Sequence, residues 1–356
     1  MNLKNCCENK TKTILMFSPV KFDNLWQRHQ SFAVELAKNG FKVYYIDPIL
    51  SNGFSLTNYE KKADNFPINI IKIKVPFKAS SIPSLQTISV KMALTLVKKM
   101  LDINFESSIL WISEPSYASI TKYNFKRMLY DRCDLHGAFP GQNNKIWYKY
   151  ERQLFNNSDY ILVSHNFLKN DIDITLRNKV YLVKNAVSDS FFCHINSYIN
   201  KIDNGFINIV SSGAHYEWID FKWLEALANR NDVKLHIVGT GRGKEFHNLL
   251  NNRNVIYHGK LAHSELIKFL SSCHVGVVPF KDIDLIKGVD PVKVYEYAAV
   301  GLEIWAPNIG CLKDSEYITG FIDVNKPYEV IKNKNRLNTH IPTWKDRIKP
   351  VLKIIN

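Results

Sequence analysis

The sequence has few cysteines, and they form no pattern typical of a metal site. No CxxC pair occurs, and no Cys/His cluster has the spacing of zinc ligands. We therefore expect a reduced, cytoplasmic protein without a structural metal. The six cysteines are Cys6, Cys7, Cys133, Cys193, Cys273 and Cys311.

Long apolar runs are also missing. The first run, residues 14–20, follows a polar segment and is too short for the core of a signal peptide with a cleavage site behind it. No stretch reaches the roughly 18 apolar residues of a membrane span. We expect a soluble protein, or one that at most sits on a membrane surface.

The composition is that of a globular chain. With 356 residues, 46% apolar and 22% charged, the sequence excludes disorder, collagen and coiled coil, and its length indicates two domains. The net charge is +14, and residues 1–190 hold 26 basic and 16 acidic side chains. This lopsided charge suggests that the first half faces an anionic partner.

Short apolar runs alternate with helical patterns along the chain. In the first half, runs at 14–17, 41–46, 68–75, 109–112, 127–130, 160–163 and 180–183 predict strands. Residues 194–206 lose this periodicity and gather Asn, Asp and Gly, which predicts a linker. The alternation restarts with strands at 207–210, 233–238, 255–258 and 275–279.

Strands joined by helices in this way specify mostly parallel, doubly wound sheets. We predict an α/β protein with two Rossmann-like domains, residues 1–193 and 207–340, facing each other across a ligand-binding cleft. The segment 341–356 predicts a helix, bent at Pro350, that packs back on the first domain.

Residues 280–301 are the segment most typical of a site. Asp290 and Pro291 predict the start of a helix over 291–300, whose N-terminus would open at the carboxyl edge of the sheet and favour phosphate. Lys293 and Glu296 would share one face, so that a diphosphate and a ribose could bind together. A solvated Lys–Glu pair explains the same spacing equally well.

The pattern Pro291-x-Lys293-x-x-Glu296-Tyr297-x-Ala299-x-Gly301 resembles the nucleotide-sugar site of bacterial GT-B glycosyltransferases, particularly relatives of the xanthan glucuronosyltransferase and of family-4 enzymes. The resemblance extends over most of the chain in order. Family-4 members usually carry a second glutamate eight positions before Glu296, where this sequence has Gly288.

The resemblance implies a GT-B fold and a set of site residues. Donor-binding residues would be Lys293, Glu296, Gly213, Pro291, Tyr295 and Arg242, and acceptor-side residues would be Trp26 and Arg28. Simple turns after the preceding strands would also account for Gly213 and Arg242.

Sugar transfer to a hydroxyl requires a base on the acceptor side of the cleft. Asp134, just after the strand at 127–130, is the first candidate, and its position resembles that of the base in the glucuronosyltransferase relatives. Asp131 and His136 are alternatives. An Asx turn that caps the following loop would account for either aspartate.

The resulting hypothesis is a cytoplasmic glycosyltransferase that moves a sugar from a nucleoside diphosphate to a hydroxyl of a saccharide or lipid-linked acceptor in surface polysaccharide synthesis. Lys293 and the helix amides would replace a metal ion, so we expect no cofactor. A nucleotide-sugar epimerase or phosphorylase on the same fold is an alternative. A nucleic-acid-binding protein is a distant one, since no nucleic-acid motif accompanies the basic charge.

The segment 82–100 predicts a helix with Lys91, Lys98 and Lys99 on one side. Basic amphipathic helices bind anionic membrane surfaces, and ordinary core helices also carry solvated lysines. The sequence leaves both readings open.

Overall fold

The computed structural model describes residues 12–193, 201–313, 315–332 and 340–356. These residues form two α/β domains, each built on one mostly parallel sheet. Part of the predicted linker, residues 194–200, lies outside the described residues.

The first domain contains an eight-stranded sheet with the order β3-β4-β2-β1-β5-β6-β7-β8. All neighbours are parallel except β3 and β4, which form an antiparallel hairpin. Its strands are β1 (Thr13–Phe17), β2 (Lys42–Ile46), β3 (Ser55–Ala63), β4 (Phe66–Lys74), β5 (Ile109–Ile112), β6 (Arg127–Arg132), β7 (Tyr160–Val163) and β8 (Val180–Leu182).

The second domain contains a seven-stranded sheet with the order β11-β10-β9-β12-β13-β14-β15. Here only β14 and β15 are antiparallel. Its strands are β9 (Ile207–His215), β10 (Val233–Gly241), β11 (Val255–Gly259), β12 (Val275–Val277), β13 (Glu303–Ala306), β14 (Gly320–Ile322) and β15 (Val330–Lys332).

Helices connect the strands and cover both sheets. They are α1 (Arg28–Lys38), α2 (Pro83–Leu101), α3 (Asn144–Asn157), α4 (Asn166–Asn170), α5 (Ser190–Cys193), α6 (Phe221–Ala228), α7 (Lys244–Leu250), α8 (His263–Ser272), α9 (Asp284–Lys287), α10 (Val292–Ala299) and α11 (Trp344–Ile355). Short 3-10 turns occupy Phe105–Ser107, Pro115–Lys122, His136–Ala138, Ile174–Lys179 and Gly310–Leu312.

The central strands are continuous apolar runs because helices bury both of their faces. In β1 the residues from Ile14 to Phe17 are all buried, and alternate side chains enter two different clusters of the first domain's core. The second domain has one large core around β9, β10 and β12. This arrangement leaves the carboxyl ends of both sheets free to form a site.

The last helix returns to the first domain. α11 begins with a capping box in which Thr343 and Asp346 exchange hydrogen bonds, and the helix continues through Pro350. Trp344, Ile348 and Val351 pack in the same cluster as Phe32 of α1. The backbone of Val187 pairs with that of Thr343, so the two segments that cross between the domains lie side by side.

The structure corrects the predicted start of the site helix. α10 begins at Val292, with Pro291 as its N-cap residue. The carboxylate of Asp290 does not cap it, because it accepts hydrogen bonds from the Asn185 backbone N–H and the Tyr295 hydroxyl. None of the described helices is both long enough and apolar enough to span a bilayer.

Candidate active site

A cleft of about 730 Å³ separates the carboxyl edges of the two sheets. The first domain contributes the loop and helix start that follow β1 and the residues that follow β6. The second domain contributes the end of β9, the loop before α8 and the first turns of α10. The residues that line the cleft include Phe22, Asp23, Trp26, Arg28, His29, Lys61, Cys133, Asp134, Asn185, Gly213, Asp290, Pro291, Lys293 and Glu296.

Lys293 brings a positive charge to the cleft from the first turn of α10. Its ammonium lies 5.4 Å from the centroid of the Phe280 ring, and no carboxylate among the described residues lies within ion-pair distance of it. Burial lowers the pKa of Lys293 to about 8. Nearby Glu296 favours the charged form of Lys293 but does not cancel the cost of burial, and an anionic ligand would offset more of that cost.

Glu296 lies one turn further along α10 and lines the same cleft. Burial raises the pKa of Glu296 to about 7, although nearby Lys293 lowers it. The carboxylate form can accept hydrogen bonds from two neighbouring hydroxyl groups. The structure therefore brings the predicted pair, Lys293 and Glu296, to the cleft rather than to bulk solvent.

Gly213, at the end of β9, lies directly against the Lys293 ammonium. A Cβ at this position would be 3.6 Å from Lys293 Nζ, and the backbone has a φ of +110° that other residues rarely adopt. Pro291 also lines the cleft, at the N-terminal end of α10. This end of the helix has amide groups outside the helix's own hydrogen bonds, which suits a phosphate group.

Asp134 lines the cleft from the first domain. It follows β6 and accepts a hydrogen bond from the Cys133 thiol at 3.6 Å. Burial raises the pKa of Asp134, whereas the nearby His136 lowers it. A carboxylate held in this way is a stronger proton acceptor than one in water.

The structure excludes Asp131 as an accessible base. Asp131 is fully buried within β6, and Arg28 donates to both of its oxygens at 2.8 to 3.0 Å. Arg28 reaches the cleft wall, but its guanidinium also donates to Val183 O and Asn185 Oδ1. Both residues therefore have a structural role, and Arg28 has little capacity left to bind an acceptor.

Three further predicted residues lie away from the described cleft lining. His136 is buried and stacks on Trp147, with ring centroids 5.9 Å apart. Tyr295 points into the second domain's core and donates to Asp290. Arg242 is exposed and pairs with Glu217 at 3.0 Å, so that its charge is already balanced in solvent.

Trp26 lines the cleft from the first domain. Its indole N–H donates to Ser31 Oγ at 2.9 Å, and its ring meets Phe22 edge to face. These contacts fix the indole at the cleft wall. Asp23 and Lys61 lie beside it and form an ion pair.

Sequence reasoning missed His29, Cys133 and Asn185, which all line the cleft. His29 Nε2 lies 3.9 Å from Cys133 Sγ, and burial lowers the pKa of His29 to about 4, so the imidazole is neutral at neutral pH. The signal was available for His29 and Cys133, because each directly adjoins a predicted site residue. Asn185 does not adjoin a predicted site residue, although it stands where the resembled family usually has Asn-Gly before the linker.

Comparison with known proteins shows similarity in both sequence and fold. Residues 214–330 match the family model described as "Glycosyl transferases group 1". The full-length fold resembles sucrose-phosphate synthase from Thermosynechococcus elongatus, with a TM-score of 0.63, 14% identity, and 95% of this chain and 94% of that chain covered. Residues 214–330 are thus similar to the group 1 glycosyltransferases, and the chain has the GT-B fold.

Two other proteins are similar to this chain. Anabaena Alr3699/HepE, solved in complex with UDP and glucose, has a TM-score of 0.60 and 10% identity, covering 97% of this chain and 90% of that chain. A putative teichuronic acid biosynthesis glycosyltransferase, TuaH of Bacillus subtilis (strain 168), is 25% identical over 249 residues, 64% of this chain. The match spans 63% of the length of TuaH.

Proposed function

We propose that this protein transfers a sugar from a nucleoside diphosphate donor to a hydroxyl group of a saccharide or lipid-linked acceptor in bacterial surface polysaccharide synthesis. The observation that carries the proposal is the placement of Lys293 and Glu296 across the cleft from Asp134. The described function of TuaH in teichuronic acid biosynthesis and the UDP and glucose bound to HepE support the class of reaction.

The donor would bind to the second domain. Its diphosphate would lie at the N-terminal turn of α10, where Lys293 and the amide groups stabilise negative charge. Glu296 would accept hydrogen bonds from the ribose hydroxyls. As the bond between the sugar and the diphosphate breaks, charge on the leaving group grows, so Lys293 stabilises the transition state more than the ground state.

The acceptor would enter from the first domain, past Trp26. Asp134 would take the proton of the attacking hydroxyl while its oxygen bonds to the anomeric carbon and the diphosphate leaves with the bonding electron pair. In this scheme the charge on the leaving diphosphate is balanced by Lys293 and the helix, and we propose that the reaction needs no metal ion.

Calorimetric titration with nucleoside diphosphates and their sugars tests the donor site. We expect Lys293→Ala to weaken binding at least tenfold, because the ammonium has no other anion to pair with. The matched control is Lys268→Ala on α8 in the same domain, whose side chain is exposed and does not belong to the described cleft lining. Equal binding by both variants and the parent protein would contradict the donor assignment.

Product analysis tests the reaction itself. With donor and a mixture of saccharide and lipid-linked acceptors, we expect a new glycosidic product and release of the nucleoside diphosphate. Conversion of the donor sugar without any acceptor would instead indicate an epimerase, and phosphate-dependent cleavage would indicate a phosphorylase.

We further propose that the first domain binds the inner face of the cell membrane through α2. The N-terminal turns of α2 expose Ile82, Leu85 and Ile88, and Lys91 follows them on the exposed surface. Lys98 and Lys99 are also exposed near the end of the helix. Apolar side chains beside lysines fit the boundary between lipid tails and anionic headgroups.

Sedimentation with lipid vesicles tests this proposal. Replacing Lys91, Lys98 and Lys99 with glutamine should weaken binding to vesicles of phosphatidylglycerol by about a hundredfold, since each lysine near the surface contributes about 1 kcal/mol. Replacing the exposed Lys222, Lys244 and Lys268 of the second domain is the matched control. Equal loss in both triple variants would show a non-specific charge effect and contradict a role for α2.

A further inference from the structure

Asn185 joins three parts of the molecule at the point where the chain leaves the first domain. It is buried, with 7% of its surface exposed, and each of its four polar groups has a partner. Its side-chain oxygen accepts from Arg28 Nη1 at 3.1 Å, and its carbonyl accepts from Arg347 Nε of α11 at 3.1 Å. Its backbone N–H and side-chain amide both donate to Asp290 at 2.5 Å.

The partners of Asn185 fix its orientation. Arg28 can only donate, so the Asn185 atom facing it must be the oxygen, and the amide nitrogen must then face the carbonyl of Asp290. Arg28 is itself held by Asp131 of β6. A continuous chain of hydrogen bonds therefore runs from the strand that precedes Asp134 to Asp290.

Asp290 carries this connection into the donor site. It directly precedes Pro291 and α10, and Tyr295 of the same helix donates to its second carboxylate oxygen at 2.9 Å. The start of the helix that bears Lys293 and Glu296 is thus bound to the first domain through Asn185.

The two domains also pack tightly against each other at Gly288. A Cβ at Gly288 would lie 2.6 Å from Leu168 Cδ2 and 3.4 Å from Leu135 Cγ. Leu168 and Leu135 belong to the first domain, and Leu135 directly follows Asp134. The backbone of the second domain therefore packs against the segment that carries the proposed base.

From these contacts we propose that Asn185 is a positioning residue: it sets the separation between Asp134 and the Lys293 end of α10. This inference rests on the proposed glycosyl transfer. Asn185 need not touch the substrate, because each of its polar groups is already bonded to protein. Small displacements of reacting groups cost up to about a hundredfold in rate, so loss of this connection should appear in turnover.

Kinetics of Asn185→Ala in the full-length protein test the proposal. We expect kcat to fall by roughly 10- to 100-fold. The dissociation constant for the nucleoside diphosphate should change less than about threefold, because Lys293 and Glu296 lie on one helix and keep their relative position. Asp290→Asn keeps an oxygen acceptor for one of the two donors and should lose less activity than Asn185→Ala.

Asn208→Ala is the matched control. Asn208 is also a fully buried asparagine with several hydrogen bonds, but it lies at the start of β9, at the opposite end of the strand from Gly213. We expect it to lower the thermal midpoint without a comparable fall in kcat below the unfolding transition.

The outcomes separate the two proposals. If the parent protein binds no nucleotide and forms no product, the proposed function fails. If the parent is active but Asn185→Ala retains kcat within twofold, or falls no further than Asn208→Ala, the positioning role is wrong. Loss of nucleotide affinity in Asn185→Ala equal to its loss of kcat would also overturn it.

Discussion

Replacing Lys293 with methionine should stabilise the protein while abolishing donor binding. Methionine has a similar length and no charge, so it fills the same space against Phe280 and Gly213 without placing an uncompensated ammonium there. The substitution thus separates the effect of the Lys293 charge on protein stability from its effect on nucleotide binding.

The magnitude follows from the shifted pKa. A value of about 8 in place of the usual 10.5 means that the folded protein disfavours the charged form of Lys293, by about 3 kcal/mol. Removal of Lys293 also takes away the charge that lowers the pKa of Glu296, which offsets part of the gain. We expect a net gain of about 1 to 3 kcal/mol at pH 7. For a chain of 356 residues, this gain would raise the thermal midpoint by roughly 1–4 °C.

The downward shift in the pKa of Lys293 also predicts that the stability difference depends on pH. Since the folded-state pKa of Lys293 lies below its unfolded value, the cost is fully present below pH 8 and fades as the pH rises toward 10.5. The difference in thermal midpoint between the parent and Lys293→Met should therefore be largest near pH 7 and small near pH 10. Lys268→Met on α8 should show no difference at either pH.

Thermal unfolding at pH 7 and pH 10 tests the predicted stability difference, and calorimetry tests nucleotide binding. If Lys293→Met is less stable than the parent at pH 7, then Lys293 is not an uncompensated cation. If it is more stable but still binds nucleoside diphosphates as tightly as the parent, the ammonium does not contact the diphosphate.

Three other predictions concern the same cleft. Asp134→Asn should lower transfer at least a hundredfold with nucleotide affinity unchanged, measured by product chromatography and calorimetry; retained transfer would place the base elsewhere. Nucleoside diphosphate affinity should be highest between about pH 7 and 8, where Glu296 is ionised and Lys293 is protonated. It should fall up to about tenfold per pH unit on either side of this range. A flat calorimetric profile from about pH 5.5 to about 9.5 would contradict this prediction. Arg242→Ala should leave nucleotide affinity within about twofold, because Arg242 pairs with Glu217 in solvent; a larger loss would return it to the donor site.

The central strands could be predicted because they are buried on both faces. The apolar runs at 14–17 and 160–163 needed no knowledge of their neighbours to be identified. β3 was not predicted, since it is an edge strand that pairs only with β4 and has mostly exposed residues. Its polar sequence carries little of the strand pattern.

The same distinction applies to the site. Lys293 and Glu296 lie three positions apart on one helix, so their common face follows from local geometry. Only the family resemblance ranked Asp134 ahead of Asp131, because the physical difference between them is the ion pair of Asp131 with Arg28, 103 residues away. Pairings over such distances depend on the packing of α1 against the sheet, which no local pattern reports.

The adjacent interdomain segments determine how the molecule can open. Val187 donates to Pro342 O at 3.1 Å and accepts from the Trp344 backbone N–H at 3.2 Å, so the outgoing and returning chains are bonded to each other. Because these hydrogen bonds join them, the two interdomain segments lie along one line between the domains. Rotation of the domains about this line would keep both hydrogen bonds, whereas sliding or twisting of one domain against the other would break them.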